Sequence, residues 1–157
     1  MTLRARQLAS LLIAALLASS LATANDSAQL DRMFESGTLQ IATPDARIHR
    51  FRIWVADNDM RRARGLMFVK TLEDDQGMLF LYPTEQTISM WMKNTYIPLD
   101  MLFIDSTGKI VHVVHNTTPL SLDTIASKQP ASAVLELKGG TAERLKLAPG
   151  ARVLAQE

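Results

Sequence analysis

Gly77 to Asp105 reads GMLFLYPTEQTISMWMKNTYIPLDMLFID, and this stretch decides the fold. It holds three short apolar runs, Met78 to Tyr82, Thr87 to Met92 and Asp100 to Ile104, separated by Pro83-Thr84-Glu85 and by Asn94 to Pro98. Short runs rich in branched and aromatic residues, bounded by turn formers, read as β-strands. Upstream, Leu39 and Ile41 begin an alternation that is clear at Phe51, Ile53 and Val55, with Arg50, Arg52 and Trp54 pointing to the opposite face. Asp57-Asn58-Asp59 supplies capping side chains for a short helix over Met60 to Arg64, which Gly65 is suited to end. Downstream, Asp105-Ser106-Thr107-Gly108 reads as a hairpin turn into Ile110 to His115, and further strands are expected at Ala133 to Leu137 and Arg152 to Ala155. Asn116 to Pro130 lacks periodicity and is expected as a loop. Eight short strands and one or two short helices imply a mostly β, single-domain antiparallel β-sandwich or squashed barrel.

Ahead of this domain, Arg4 and Arg6 precede the apolar run Leu8 to Ala18, and Ala22-Thr23-Ala24 offers small residues for cleavage. That pattern is a signal peptide over residues 1–24, and Ser19, Ser20 and Thr23 keep the run too short for a membrane span. The chain is therefore expected to be exported to the periplasm or extracellular space, with no span after cleavage near Ala24. Residues 25–37 are polar and read as a flexible leader, and 38–157 as one β domain. Cleavage leaves 133 of 157 residues, with 15 basic against 16 acidic side chains, hence a net charge of −1. A near-neutral chain with no basic stripe gives no electrostatic reason for nucleic acid as partner. The absence of cysteine excludes disulfides, thiol catalysis and thiolate metal sites, so stability rests on an apolar core sufficient for a monomer.

Four short motifs carry a resemblance. Arg64-Gly65-Leu66-Met67, Trp91-Met92-Lys93-Asn94-Thr95, Pro98-Leu99-Asp100 and Val134-Leu135-Glu136-Leu137 closely resemble the family called domain of unknown function 192, over roughly Ile53 to Val153. The resemblance implies a fold and a pattern of polar positions, and it brings no established reaction. Arg64, Lys93, Asn94, Asp100 and Glu136 are the polar residues within the matching segments, and they form the candidate ligand site. A cation, an amide and a carboxylate around one strand end suit a small polar ligand; the same mixture also describes a structural network of paired, half-buried charges.

Other side chains suggest alternatives. Trp54 and Trp91 lie opposite the apolar faces of their strands, and exposed indoles in an exported β protein suit carbohydrate stacking, against the reading of a sheet covered on both faces with both rings in the core. Asp75, Asp100 and Glu136 are candidates for the paired carboxylates of a small polysaccharide hydrolase, which require a separation of about 5 to 10 Å. Met90 and Met92 are the candidates for a methionine-based copper site, against the reading of both as core. His112 and His115 are three apart on a strand and point to opposite faces. The Asp57-x-Asp59 pair lacks the later ligands of a calcium loop, and nucleotide, serine-hydrolase and zinc-protease motifs are missing from the sequence. The expectation is an envelope protein that binds a small molecule, a carbohydrate or another envelope component without catalysis, using no cofactor.

Overall fold

The structure is a computed structural model that describes residues 26–156, so the expected signal peptide and its cleavage point lie outside the described residues. Helix α1 covers residues 26–33. It is followed by β1 (Glu35–Ala42), β2 (Ile48–Ala56), α2 (Asp59–Arg64), β3 (Gln76–Gln86), β4 (Ser89–Met90), β5 (Leu99–Ile104), β6 (Ile110–Val114), β7 (Ile125–Ala126), β8 (Ala131–Lys138), α3 (Thr141–Leu145) and β9 (Arg152–Gln156). Seven strands form one sheet in the order β6-β5-β8-β3-β2-β1-β9, and β4 pairs only with β7. All ladders are antiparallel except β2 with β3, which run parallel because the chain crosses over through α2 and residues 65–75.

The two ends of the sheet approach each other. Lys109 bridges to Arg152, the Ile110 N–H donates to the Ala151 carbonyl at 2.9 Å, and the Val153 N–H donates to the Gly108 carbonyl at 2.8 Å. The result is a nearly closed barrel, in which few backbone groups are left on a free edge. The mostly β, squashed-barrel expectation holds, with three short helices among the described residues rather than one or two. None of the helices among the described residues is long and apolar enough to cross a membrane.

Both faces of the sheet are covered, because strands such as β5 are apolar at every second position on each side. Leu39, Phe51, Ile53, Leu79, Leu102 and Leu135 fill the barrel, capped by Ala142 of α3. On the outer face Trp54, Met78, Phe80, Met101, Phe103 and Val134 pack under Leu30 of α1, Leu66 to Leu72, and Ile88 and Met92. Gly77 is required where β3 meets β8, since a Cβ there would sit 2.6 Å from the Glu136 carbonyl oxygen.

Two expectations need correction. The leader is not loose: within it α1 buries Leu30 and Phe34, and Asp26 accepts hydrogen bonds from the Lys70 and Thr71 N–H groups and the Thr71 hydroxyl. Its polar composition concealed two apolar anchors one helical turn apart. The run Thr87 to Met92 forms only the two-residue strand β4, whose partner β7 falls within the expected loop Asn116 to Pro130.

Candidate functional site

One pocket, of about 220 Å³, opens on the outer face of the sheet. Its floor is built by period-two alternation: in β3 Phe80 and Tyr82 share a face, and in β8 Glu136 lies between Met78 of β3 and Met101 of β5. One wall is α2 and the turn after it, contributing Arg62, Arg64 and Met67; the other is the segment with Met90, Trp91, Lys93 and Thr95. Local sequence sets the first wall. Asn58 caps α2 by accepting from the Arg61 N–H at 3.0 Å, and Gly65 ends it at φ 43°, a conformation open to glycine. A side chain at Gly65 would press on the Phe80 ring at 3.0 Å.

Glu136 is the chemically unusual member. It is 4 % exposed, and among the described residues nothing hydrogen-bonds or ion-pairs with its carboxyl. Burial alone therefore moves its titration, pushing it up to about 8, so that the group is mostly uncharged at neutral pH. Tyr82 stands nearby, its phenol raised above the ordinary range by burial, and its hydroxyl donates to the Met90 sulfur at 3.5 Å.

The cations around the pocket fall into two kinds. Arg62 is neutralised by Asp59 at 2.6 Å, donates to the Leu81 carbonyl and lies over the Tyr82 ring. Arg64 donates to the Met67 and Gly65 carbonyls and lies 5.2 Å over the Phe68 ring, and burial lowers its titration from the usual range. Lys93 lies 5.4 Å over the Trp91 ring. Among the described residues neither Arg64 nor Lys93 has a carboxylate partner.

The turns that adjoin the two pocket walls are strained. Phe68 and Asn94 both have positive φ, at 69° and 56°, and are joined by the Phe68 N–H donating to the Asn94 carbonyl at 2.9 Å. Leu120, at φ 64°, donates its N–H to the Thr95 carbonyl. Left-handed backbone at a phenylalanine and a leucine costs about 1 to 2 kcal/mol each and concentrates at functional sites. Phe68, Trp91, Tyr96 and Leu120 are all largely exposed there, with Phe68 and Tyr96 edge to face at 6.0 Å.

Of the residues singled out from sequence, Arg64, Lys93, Trp91 and Glu136 converge on this pocket, and Asn94 stands behind its wall with its amide 3.8 Å from the Met67 sulfur. Asp100 does not join them. It is fully buried on the other face of the sheet, where its carboxylate accepts from the Asn116 N–H at 2.9 Å and the Ala142 N–H at 2.7 Å, tying β5 to α3. Asp100 and Glu136 therefore share no cleft, and Asp75 is exposed in the turn before β3, so the expected carboxylate pairs are not assembled. The two tryptophans divide between the alternatives: Trp91 is exposed, whereas Trp54 is core, 0 % exposed with its indole N–H donating to Asp31 at 2.8 Å, because α1 covers that face. Met92 is core, accepting from the Thr117 hydroxyl, whereas Met90 and Met67 reach the pocket. Among the described residues no group of three or more histidine, aspartate or glutamate side chains is gathered to hold a metal ion. Arg62 and Tyr82 were missed. Tyr82 was within reach, since it is two residues beyond Phe80, but the wall residues come together only through the crossover after β2.

Similar proteins share this fold. The chain is 39 % identical to a protein of Sinorhizobium meliloti 1021 described as a "putative transcription regulator", with a TM-score of 0.76 over 77 % of this chain and 94 % of that one. It is 32 % identical to a protein of unknown function from Novosphingobium aromaticivorans DSM 12444, with a TM-score of 0.75 over 78 % and 86 %. No curated protein matches the chain. The family model DUF192, described as an uncharacterized ACR, matches residues 40–155, which contain every pocket residue named above. The chain belongs to the DUF192 family, the domain of unknown function 192 that its four motifs resemble.

Proposed function

We propose that this protein is an exported, monomeric, non-enzymatic binding module of the cell envelope whose pocket between α2 and the segment 90–95 takes a small molecule. One observation carries the reading. Among the described residues Glu136 has no hydrogen-bond or ion-pair partner, and its carboxyl lies at a pocket where an occupant that displaces water would have to supply one. The pocket volume lies below the 300 to 1,000 Å³ that ordinarily takes drug-sized ligands, which favours a metabolite-sized occupant. Strained backbone at Phe68 and Asn94, next to the wall residues Met67 and Lys93, supports the same location.

A thermal-shift screen against small carboxylates, cell-wall sugars and copper, with hits mapped by NMR, tests the reading. A ligand that binds only the folded state raises the melting temperature by mass action. The expected result is a compound that raises it and moves the amide resonances of Gly65, Trp91 and Glu136. Hits that map elsewhere, or no hit in the whole set, count against a binding module.

A further inference from the structure

We propose that the occupant of this pocket is a small organic anion, held with its charged end between Arg64 and Lys93 and its uncharged body against the Glu136 carboxyl. The proposal rests on the reading of the pocket as a binding site and names the class of ligand.

Charge decides the orientation. Among the described residues Arg64, half-buried, engages only backbone carbonyls and the Phe68 ring, and Lys93 meets only the Trp91 ring, so the pocket carries two cations without a counter-ion among these residues. Arg62 sits in the same pocket and already has Asp59, which shows how such a charge is otherwise matched. An anionic group at the rim would pair with both unmatched cations while staying in contact with water. Placed instead at the floor, beside Phe80 and between the apolar wall residues Leu66 and Met90, it would lose most of its hydration. The floor suits an uncharged group that exchanges a hydrogen bond with a protonated carboxyl, and Trp91, half-exposed at the wall, offers a flat apolar surface to the ligand body.

A cation fits the same residues poorly. An ammonium or a soft metal ion would have to pass Arg64 and Lys93 to reach Glu136, and the two available sulfurs already accept hydrogen bonds, Met67 from Asn94 and Met90 from Tyr82. The two classes also respond oppositely to pH. The groups that face Glu136 are Tyr82 on β3, Asp59, Arg62 and Arg64 on α2, and Lys93 on the facing segment; Met78 and Met101 flank it on the adjacent strands, and no histidine lines the pocket. Tyr82 titrates above its ordinary range, so loss of the Glu136 proton is the change that reaches the pocket first as pH rises. A negative floor repels an anion and attracts a cation.

The test uses two probes of similar shape, 4-(hydroxymethyl)benzoate and 4-(hydroxymethyl)benzylamine, titrated into the chain by NMR at pH 7 and pH 9. The benzoate is expected to shift the Trp91 indole and Glu136 amide resonances, to bind at least fivefold more weakly at pH 9 and to lose this pH dependence in Glu136→Gln. Lys93→Gln, an exposed change that leaves the fold intact, is expected to weaken it at least threefold, and Arg64→Gln by more. Tighter binding of the benzylamine or of Cu(I) than of the benzoate, strengthening towards pH 9, would overturn the anion assignment and leave the pocket a binding site. Benzoate binding that ignores both Lys93→Gln and pH also overturns it. Silence of both probes at 10 mM, with no hit in the broader screen, removes the binding-site reading itself.

Discussion

Asp100 and Glu136 lie on neighbouring strands, β5 and β8, and both are almost completely buried, yet they have opposite fates. Asp100 points to one face of the sheet and accepts two backbone N–H groups, one from the turn after β6 and one from the start of α3. Glu136 points to the other face and meets no donor among the described residues. A carboxylate with two charge-assisted hydrogen bonds holds elements together, whereas a carboxyl with none is a cost that the rest of the fold sustains. The difference separates an acid that ties two elements together from one that faces the pocket, where the sequence placed both in one candidate site.

Breaking the first member of the comparison is expected to have the largest effect. Asp100→Ala leaves the Asn116 and Ala142 N–H groups buried without an acceptor, and urea unfolding should show a loss of about 3 to 4 kcal/mol. Asp26, a third buried carboxylate, with three donors on one of its oxygens, follows the same rule on the outer face. Asp26→Ala should cost about 2 kcal/mol and accelerate amide hydrogen exchange in α1 and at Lys70 and Thr71.

The second member should reveal itself through pH. The folded-state value of Glu136, about 8, lies above the ordinary 4.5, so the folded chain binds its proton more tightly than the unfolded chain does. The contribution of this group to stability is thus fully present below about pH 4.5 and is lost as pH rises towards 8, after which it is flat. The slope is at most about 1.4 kcal/mol per pH unit, and Glu136→Gln should abolish it. Equal slopes in the two proteins would mean that water in the pocket, or a partner, solvates the Glu136 carboxylate well enough to keep its ordinary titration. The smallest effect is expected at Lys93, which is exposed and lacks an ion-pair partner among the described residues. Lys93→Ala should change stability by less than about 0.5 kcal/mol while weakening any anionic ligand of the pocket.

Alternation alone made much of the barrel legible, including the cap of α2 by Asn58, the hairpin at Asp105 and the strands β2, β5, β6 and β8. Alternation also carried the information that Glu136 is the sole charged residue within the run Ala133 to Leu137, and so that a charge enters the sheet there. The same rule failed at Trp54, because period two says which residues share a face and not whether a helix covers it; α1, from a segment that looked polar, does so. It failed at β4 too, where a six-residue run supplies two ladder residues, buries Ile88 and Met92 in the core and places Trp91 on the pocket wall.

What the sequence determined by itself was therefore local: strand periodicity, turn chemistry, the glycine at the end of α2 and the four motifs of the family. Only the tertiary structure decided which of two buried acids is satisfied. Hydrogen-bond partners at Asn116 and Ala142 come from elements 16 and 42 residues away from Asp100, and the cations that face Glu136 arrive through a crossover and a separate wall. Whether a charge is matched depends on groups within a few ångströms, and chain closure over such distances in sequence is fixed by the fold and not by the neighbours along the chain.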